Sequence, residues 1–173
     1  MPEPVTPSHA GDIETPLGRV VVVTAEDALV GLWFAGSMGA PLLPGLTEGT
    51  DDLIALVGRQ LDEYFSGART GFDVPIRLTG TPFQREVWSA LLTIPHARTS
   101  TYGAIARRIG RPSAARAVGA ANGQNPISII VPCHRLVGSD GALTGYGGGL
   151  DRKAWLLEHE RGVAATNAAA ISA

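Results

Sequence analysis

The fold class this sequence predicts is α/β (α+β). A small N-terminal antiparallel-sheet/helix domain, residues 1–79, packs on a mostly helical C-terminal domain, residues 80–162, which contains a helix-turn-helix; a flexible tail follows at 163–173. Three observations predict it: β-branched and apolar runs lie before residue 35, helical apolar spacing takes over after Gly80, and the balance of charge changes between the two parts. With 173 residues, 45% of them apolar, the chain can bury a real core. Its 22 glycines and 12 prolines follow no fixed period, which excludes a collagen-like or low-complexity chain.

Thr15-Pro16-Leu17-Gly18 reads as a turn. Val20 to Thr24 and Leu29 to Phe34 then read as two strands joined by Ala25-Glu26-Asp27-Ala28 in an antiparallel hairpin. A Gly/Pro-rich loop over 36–49 leads to Asp51 to Ser66, where Leu53, Leu56, Val57, Leu61 and Tyr64 recur at helical spacing and Gly67 supplies the stop. Structural support is the most economical role for this part. Beyond Gly80, Thr81-Pro82-Phe83-Gln84 combines a capping-box pattern with proline in the first turn, opening a helix that ends near Ile94-Pro95. Ser100 or Thr101 caps a second helix, Tyr102 to Ile109, which Gly110 stops, and Pro112 opens a third that runs to about Asn122. The last two, joined through Gly-Arg-Pro, form the helix-turn-helix pattern. Ile127 to Val131 reads as a strand, and Asp151 caps a closing helix through Glu160. There are no internal repeats.

The net charge of −2 conceals an asymmetry. Residues 1–79 hold 11 acids against four arginines, whereas Val87 through Ser139 hold no acid and six arginines: Arg98, Arg107, Arg108, Arg111, Arg116 and Arg135. Clustered arginines of this kind suit a polyanionic partner. The third helix is nearly bare, with Ala114, Ala115, Ala117, Gly119, Ala120 and Ala121 around the single long side chain of Arg116. Alone, such a helix fits a core as well as a surface of close approach; Arg107, Arg108 and Arg111 just before it favour the surface. No apolar run approaches a membrane span, and the acidic, proline-containing start lacks a signal-peptide pattern. The expected location is therefore cytoplasmic, and nucleoid-associated in a prokaryote.

Cys133 is the only cysteine, so an internal disulfide and a multi-thiolate metal centre are both excluded, and neither metal nor cofactor is expected. A lone thiol is most often an inert core residue. Three features argue otherwise here. Cys133 stands between Pro132 and a His-Arg pair able to lower a thiol pKa by facing it, it follows an apolar strand-like run, and Gly147-Gly148-Gly149 offers unhindered backbone donors nearby. His134 can act as general base, oriented by Glu158 or Glu160; spacing alone does not choose between them. His9 and His96 are expected in loops and His159 on the last helix, none at metal-ligand spacing.

Pro132-Cys133-His134-Arg135, inside the longer run 125–135, resembles the active-site motif of the O6-alkylguanine-DNA alkyltransferase family. Five further ordered blocks carry the resemblance: Gly80-Thr81-Pro82-Phe83-Gln84 with Val87-Trp88, Thr101-Tyr102-Gly103, residues 114–119, residues 145–149 and residues 155–160. It covers 80–161 closely and 1–79 more loosely, and six blocks in order are far more specific than four letters.

The resemblance implies a stoichiometric repair protein. Cys133 would accept an alkyl group from O6-alkylguanine, and from O4-alkylthymine, after base flipping. His134 would take the thiol proton through a water, Glu160 would hold His134, Tyr102 would give a proton toward guanine N3, and Asn125 would brace the active-site turn. The same resemblance implies a DNA surface of Ser113, Ala114, Ala115, Arg116 and Gly119 in the minor groove, with Arg116 filling the stack. It implies a base pocket of Val131, Leu136, Tyr146, Gly147 and Gly148. The expected partner is double-stranded DNA containing alkylated guanine, with no membrane and a monomeric protein able to bind cooperatively along DNA.

Departures from the pattern are Leu136 where valine is usual and Gly147 where some members have serine. The additional metal-binding domain of the adaptive-response relatives is not expected here, nor is a transcriptional role, and lesion-binding relatives without repair activity lack the cysteine. The other readings are a non-catalytic helix-turn-helix DNA-binding protein and a Cys-His hydrolase.

Overall fold

The computed structural model describes residues 7–37, 47–49 and 51–172. It divides into two compact units, Met1–Thr79 with Pro126–Ser128, and Gly80–Asn125 with Ile129–Ala173.

In the first unit, β1 (His9–Ile13), β2 (Val20–Ala25), β3 (Ala28–Phe34) and β4 (Thr47–Glu48) form a sheet in the order β3-β2-β1-β4, with only the β1–β4 pair parallel. The hairpin read from sequence is present: Val20 faces Phe34, and Glu26 takes φ 55° to turn the chain. The turn before it closes with Gly18 N–H donating to Thr15 O at 2.9 Å. β1 carries too few apolar residues to announce itself, and it forms by pairing along β2. His9, expected in a loop, therefore lies on β1. Most of the expected 36–49 loop falls outside the described residues.

Helix α1 (Asp52–Phe65) buries Ile54, Val57, Leu61 and Tyr64. Asp51 caps it, accepting from Ile54 N–H at 2.6 Å while its second oxygen accepts from the Thr24 hydroxyl at 2.8 Å. Gly11 lets strand and helix approach, because a Cβ there would stand 3.0 Å from Gly49 O and 3.2 Å from Ile54 Cγ2. Residues Pro126–Ser128 join this unit through β3, Leu32 N–H donating to Pro126 O and Ser128 N–H to Leu32 O, each at 2.8 Å.

The predicted strand over Ile127–Val131 does not form. Only Ile127 bridges to Leu32; the chain then turns, with Ile129 at φ 71°, a strained value for a β-branched residue. β-Propensity loses here because the next backbone groups bond within turns.

The second unit is built on α2 (Pro82–Leu91), α3 (Tyr102–Arg108), α4 (Ala115–Gly123) and α5 (Leu150–Ile171), with β5 (Ser100–Thr101) running parallel to β6 (Leu136–Val137). Thr81 and Gln84 form the expected capping box on α2, and Thr101 caps α3. Gly110, at φ 73°, turns the chain between α3 and α4. α4 starts at Ala115, not Pro112, and Ala114 gives it no side-chain cap. Trp88 Nε1–H donates to Ala121 O at 2.8 Å and ties α2 to α4. α5 begins from Gly149 at φ 93°; Asp151, expected as the cap, sits in the first turn instead. Residues 163–171, expected as a tail, continue α5, in keeping with their alanine content.

Candidate active site

Cys133 opens a single 3-10 turn, Cys133–Arg135, and is 3% exposed. Pro132, at φ −81° and ψ 61°, makes the tight inverse turn before it, so that Cys133 N–H donates to Val131 O at 2.8 Å. Asn125 fixes both ends of this turn. Its Nδ2 donates to Val131 O at 2.9 Å and to the Cys133 sulfur at 3.0 Å. The thiol is thus presented by a braced turn rather than by a strand.

His134 and Glu160 are fully buried, and His134 Nε2 stands 2.9 Å from Glu160 Oε1. The carboxylate also accepts from Arg135 Nη2 at 2.8 Å, from Arg135 Nε at 3.0 Å and from Ala97 N–H at 3.0 Å. Burial alone would raise the Glu160 pKa, but the hydrogen bonds from His134 and Arg135 and the Arg135 charge hold it far below the ordinary carboxylate value. An ionised Glu160 can only accept, so Nε2 carries the imidazole proton and Nδ1 keeps a lone pair. Burial outweighs the neighbouring carboxylate and depresses the His134 pKa, which leaves the ring neutral at physiological pH. Nδ1 is buried without a hydrogen-bond partner among the described residues. The choice between Glu158 and Glu160 is resolved in favour of Glu160.

The expectation that the His-Arg pair lowers the thiol pKa is corrected. Arg135 turns away from Cys133 to Glu160 and to Ile94 O, the latter at 2.7 Å. Burial pushes the thiol up to about 11, opposed by the Asn125 bond and by the positive charge of Lys153.

Lys153 was not anticipated. It is fully buried, and its Nζ donates to Thr144 O at 2.6 Å. The signal for it lies in α5, where Lys153, Leu156, Leu157 and Glu160 recur at 0, 3, 4 and 7 and all point inward. Two polar residues within an otherwise apolar stripe mark a site. Asn122, also unanticipated, is buried on α4 with Nδ2 3.4 Å from Cys133 O.

Tyr102 begins α3, and its hydroxyl donates to Thr144 O at 3.1 Å. Gly119 on α4 faces that ring, and a Cβ there would meet Tyr102 Cδ1 at 3.6 Å, an ordinary contact. Val131 and Leu136 are fully buried beside Cys133 in the chain, Gly148 is buried, Gly147 exposed and Tyr146 half-buried. On α4 and its approach, Ser113 and Arg116 are exposed while Ala114, Ala115 and Gly119 are half-buried. Arg111 pairs with Glu86 at 3.1 Å and lies over the Phe83 ring, and Arg108 bonds the Thr93 hydroxyl. Among the described residues no cluster of three or more His, Cys, Asp or Glu could hold a metal, and no helix is long and apolar enough to cross a membrane.

One buried thiol, braced by an amide and followed by an imidazole fixed on an ionised carboxylate, is an arrangement able to serve covalent chemistry at a single cysteine. Comparison with known proteins gives the family. Residues 9–78 match the ribonuclease-like domain, and residues 82–162 the DNA binding domain, of 6-O-methylguanine DNA methyltransferase. The chain is 48% identical over 149 residues to a methylated-DNA–protein-cysteine methyltransferase of Mycolicibacterium paratuberculosis, covering 86% of this chain and 90% of that one. With a Methanosarcina acetivorans protein of the same name it shares 44% over 147 residues, covering 85% and 94%. The crystal structure of Mycobacterium tuberculosis OGT in complex with DNA superposes with a TM-score of 0.85 at 46% identity, covering 90% of this chain and 94% of that one. The chain belongs to the 6-O-methylguanine DNA methyltransferase family.

Proposed function

We propose that this protein repairs DNA by direct reversal, moving the alkyl group of O6-alkylguanine onto Cys133 in one irreversible step. The observation that carries the reading is the braced thiol of Cys133 beside the His134–Glu160 couple, in a chain whose relatives are named methylated-DNA–protein-cysteine methyltransferases. His134 Nδ1, with its lone pair free, takes the thiol proton through a water. The sulfur then attacks the alkyl carbon, the C–O6 bond breaks, and its electron pair stays with the guanine. Tyr102 gives a proton toward N3 of the leaving base and regains one from solvent. The thioether has no leaving group and the chain has no second thiol, so each molecule acts once.

The alkyl carbon lies inside the duplex, and the target nucleotide must leave the stack, at a cost of a few kcal/mol. Double-stranded DNA is the partner in this reading, bound by a monomer, with cooperative binding along DNA open to it. α4 lies in the minor groove with Ser113, Ala114, Ala115 and Gly119 close to the backbone, and exposed Arg116 fills the vacated place. Val131, Leu136, Tyr146, Gly147 and Gly148 line the base pocket, which also takes O4-alkylthymine. In this reading residues 1–79 support the 80–162 alkyltransferase domain, and the work is done on DNA in the cytoplasm.

Intact mass after mixing with an oligonucleotide duplex containing O6-methylguanine tests this. The expected result is a gain of one CH2 per protein, mapped to Cys133 and lost in Cys133→Ala. Repeated turnover, as in a Cys-His hydrolase, or an unmodified protein that still binds, as in a non-catalytic DNA binder, would overturn it.

A further inference from the structure

We propose that Lys153 is an electrostatic positioning residue of the reaction, its buried ammonium serving as counter-charge to the Cys133 thiolate while the His134–Glu160 couple handles the proton. The proposal rests on the alkyl-transfer reading above and adds to it the group that carries the charge.

Lys153 is 0% exposed, and among the described residues its ammonium makes one hydrogen bond, to the Thr144 carbonyl at 2.6 Å, with no carboxylate within ion-pair distance. A buried cation without an anion is costly, and such an arrangement persists where an anion forms during function. Glu160, two turns further along the same inward face of α5, is already committed to Arg135 and His134. Tyr102 on α3 shares the Thr144 carbonyl with Lys153 and donates to it. His134 and Cys133, both on the 3-10 turn, feel the ammonium charge, which lowers the pKa of each. That pattern favours a thiolate and disfavours an imidazolium. It therefore selects a thiolate–ammonium pair with a neutral imidazole over a thiolate–imidazolium pair, the thiol proton passing on from His134 to solvent. Burial brings Lys153 down to about 8, so it still holds its charge at neutral pH.

Iodoacetamide labelling of Cys133 as a function of pH tests the proposal without DNA, and the single cysteine makes the readout unambiguous. The thiolate displaces iodide to give the carbamidomethyl thioether, so the rate follows the ionised fraction. In the wild-type protein the rate should climb with pH and level off as Lys153 loses its proton near pH 8. Lys153→Met, similar in volume and uncharged, should label at least about tenfold more slowly below that pH and keep climbing above it, so that the two profiles converge. Methyl transfer from O6-methylguanine DNA should slow by a similar factor at neutral pH. Superimposable profiles would overturn the proposal. Should the variant fail to fold, a wild-type profile with no bend near pH 8 overturns it alone. A bend without any methyl transfer would instead leave the electrostatic pair standing and remove the repair reading.

Discussion

Glu160 is the residue on which the site's electrostatics turn, since one carboxylate fixes the His134 tautomer, neutralises Arg135 and holds the Ala97 backbone. Glu160→Gln leaves the Arg135 charge buried without its partner and allows the imidazole its other tautomer. It should cost about 3–5 kcal/mol in urea unfolding. In single-turnover assays the same variant should lose about a hundredfold in methyl-transfer rate. The acid limb of stability follows from the same groups. Glu160 has a folded pKa far below its ordinary 4.5, so its contribution is complete above that pH and is lost as pH falls toward the folded value. His134 has a folded pKa below its ordinary 6.5, so the unfolded chain takes up that proton first and stability also falls below pH 6.5. Thermal melts between pH 7 and 4 should therefore show a steady loss, beginning near pH 6.5, the His134 share of which disappears in a His134→Asn background.

At the scale of elements, caps and close contacts were the legible features. Thr81-Pro82 with Gln84, Thr101 before Tyr102, and Gly67 and Gly110 after their helices all act where local chemistry alone dictates, because each satisfies backbone groups within a few residues. Elements settled by distant partners were not legible. β1 exists through β2, and the Ile127–Val131 run reads as a strand until Asn125 and Cys133 take the Val131 carbonyl for a turn. The site divides in the same way. Cys133 and His134 are neighbours in sequence, whereas Lys153 enters from α5 and becomes visible only as a polar interruption of an inward stripe. Arg116 is exposed, so Arg116→Ala should keep the melting temperature while slowing repair in duplex DNA far more than transfer from free O6-alkylguanine base. Equal losses on the two substrates, measured by radiolabel transfer, would remove the stack-filling role.

Across the whole molecule, the acid-free segment is less basic than its arginine count implies. Arg135 is buried against Glu160 and Arg111 pairs with Glu86, which leaves Arg98, Arg107, Arg108 and Arg116 as exposed cations without a carboxylate partner among the described residues. Log affinity for duplex DNA should fall with log salt by about 0.9 per phosphate neutralised. The slope should therefore stay near that of a small footprint, and Arg135→Lys should leave it unchanged. Titration of fluorescence anisotropy at several salt concentrations reads this directly. A slope demanding all six arginines would contradict the burial of Arg135.

On the function proposed, Cys133 accepts one alkyl group and is then spent. Incubating a known amount of active protein with a large excess of duplex containing labelled O6-methylguanine, and counting methyl groups on protein and in solution over time, tests it most directly. The expected result is a plateau at one methyl per protein molecule, all of it on Cys133 and none released. Transfer continuing beyond one equivalent, or label appearing as free methanol, would contradict it.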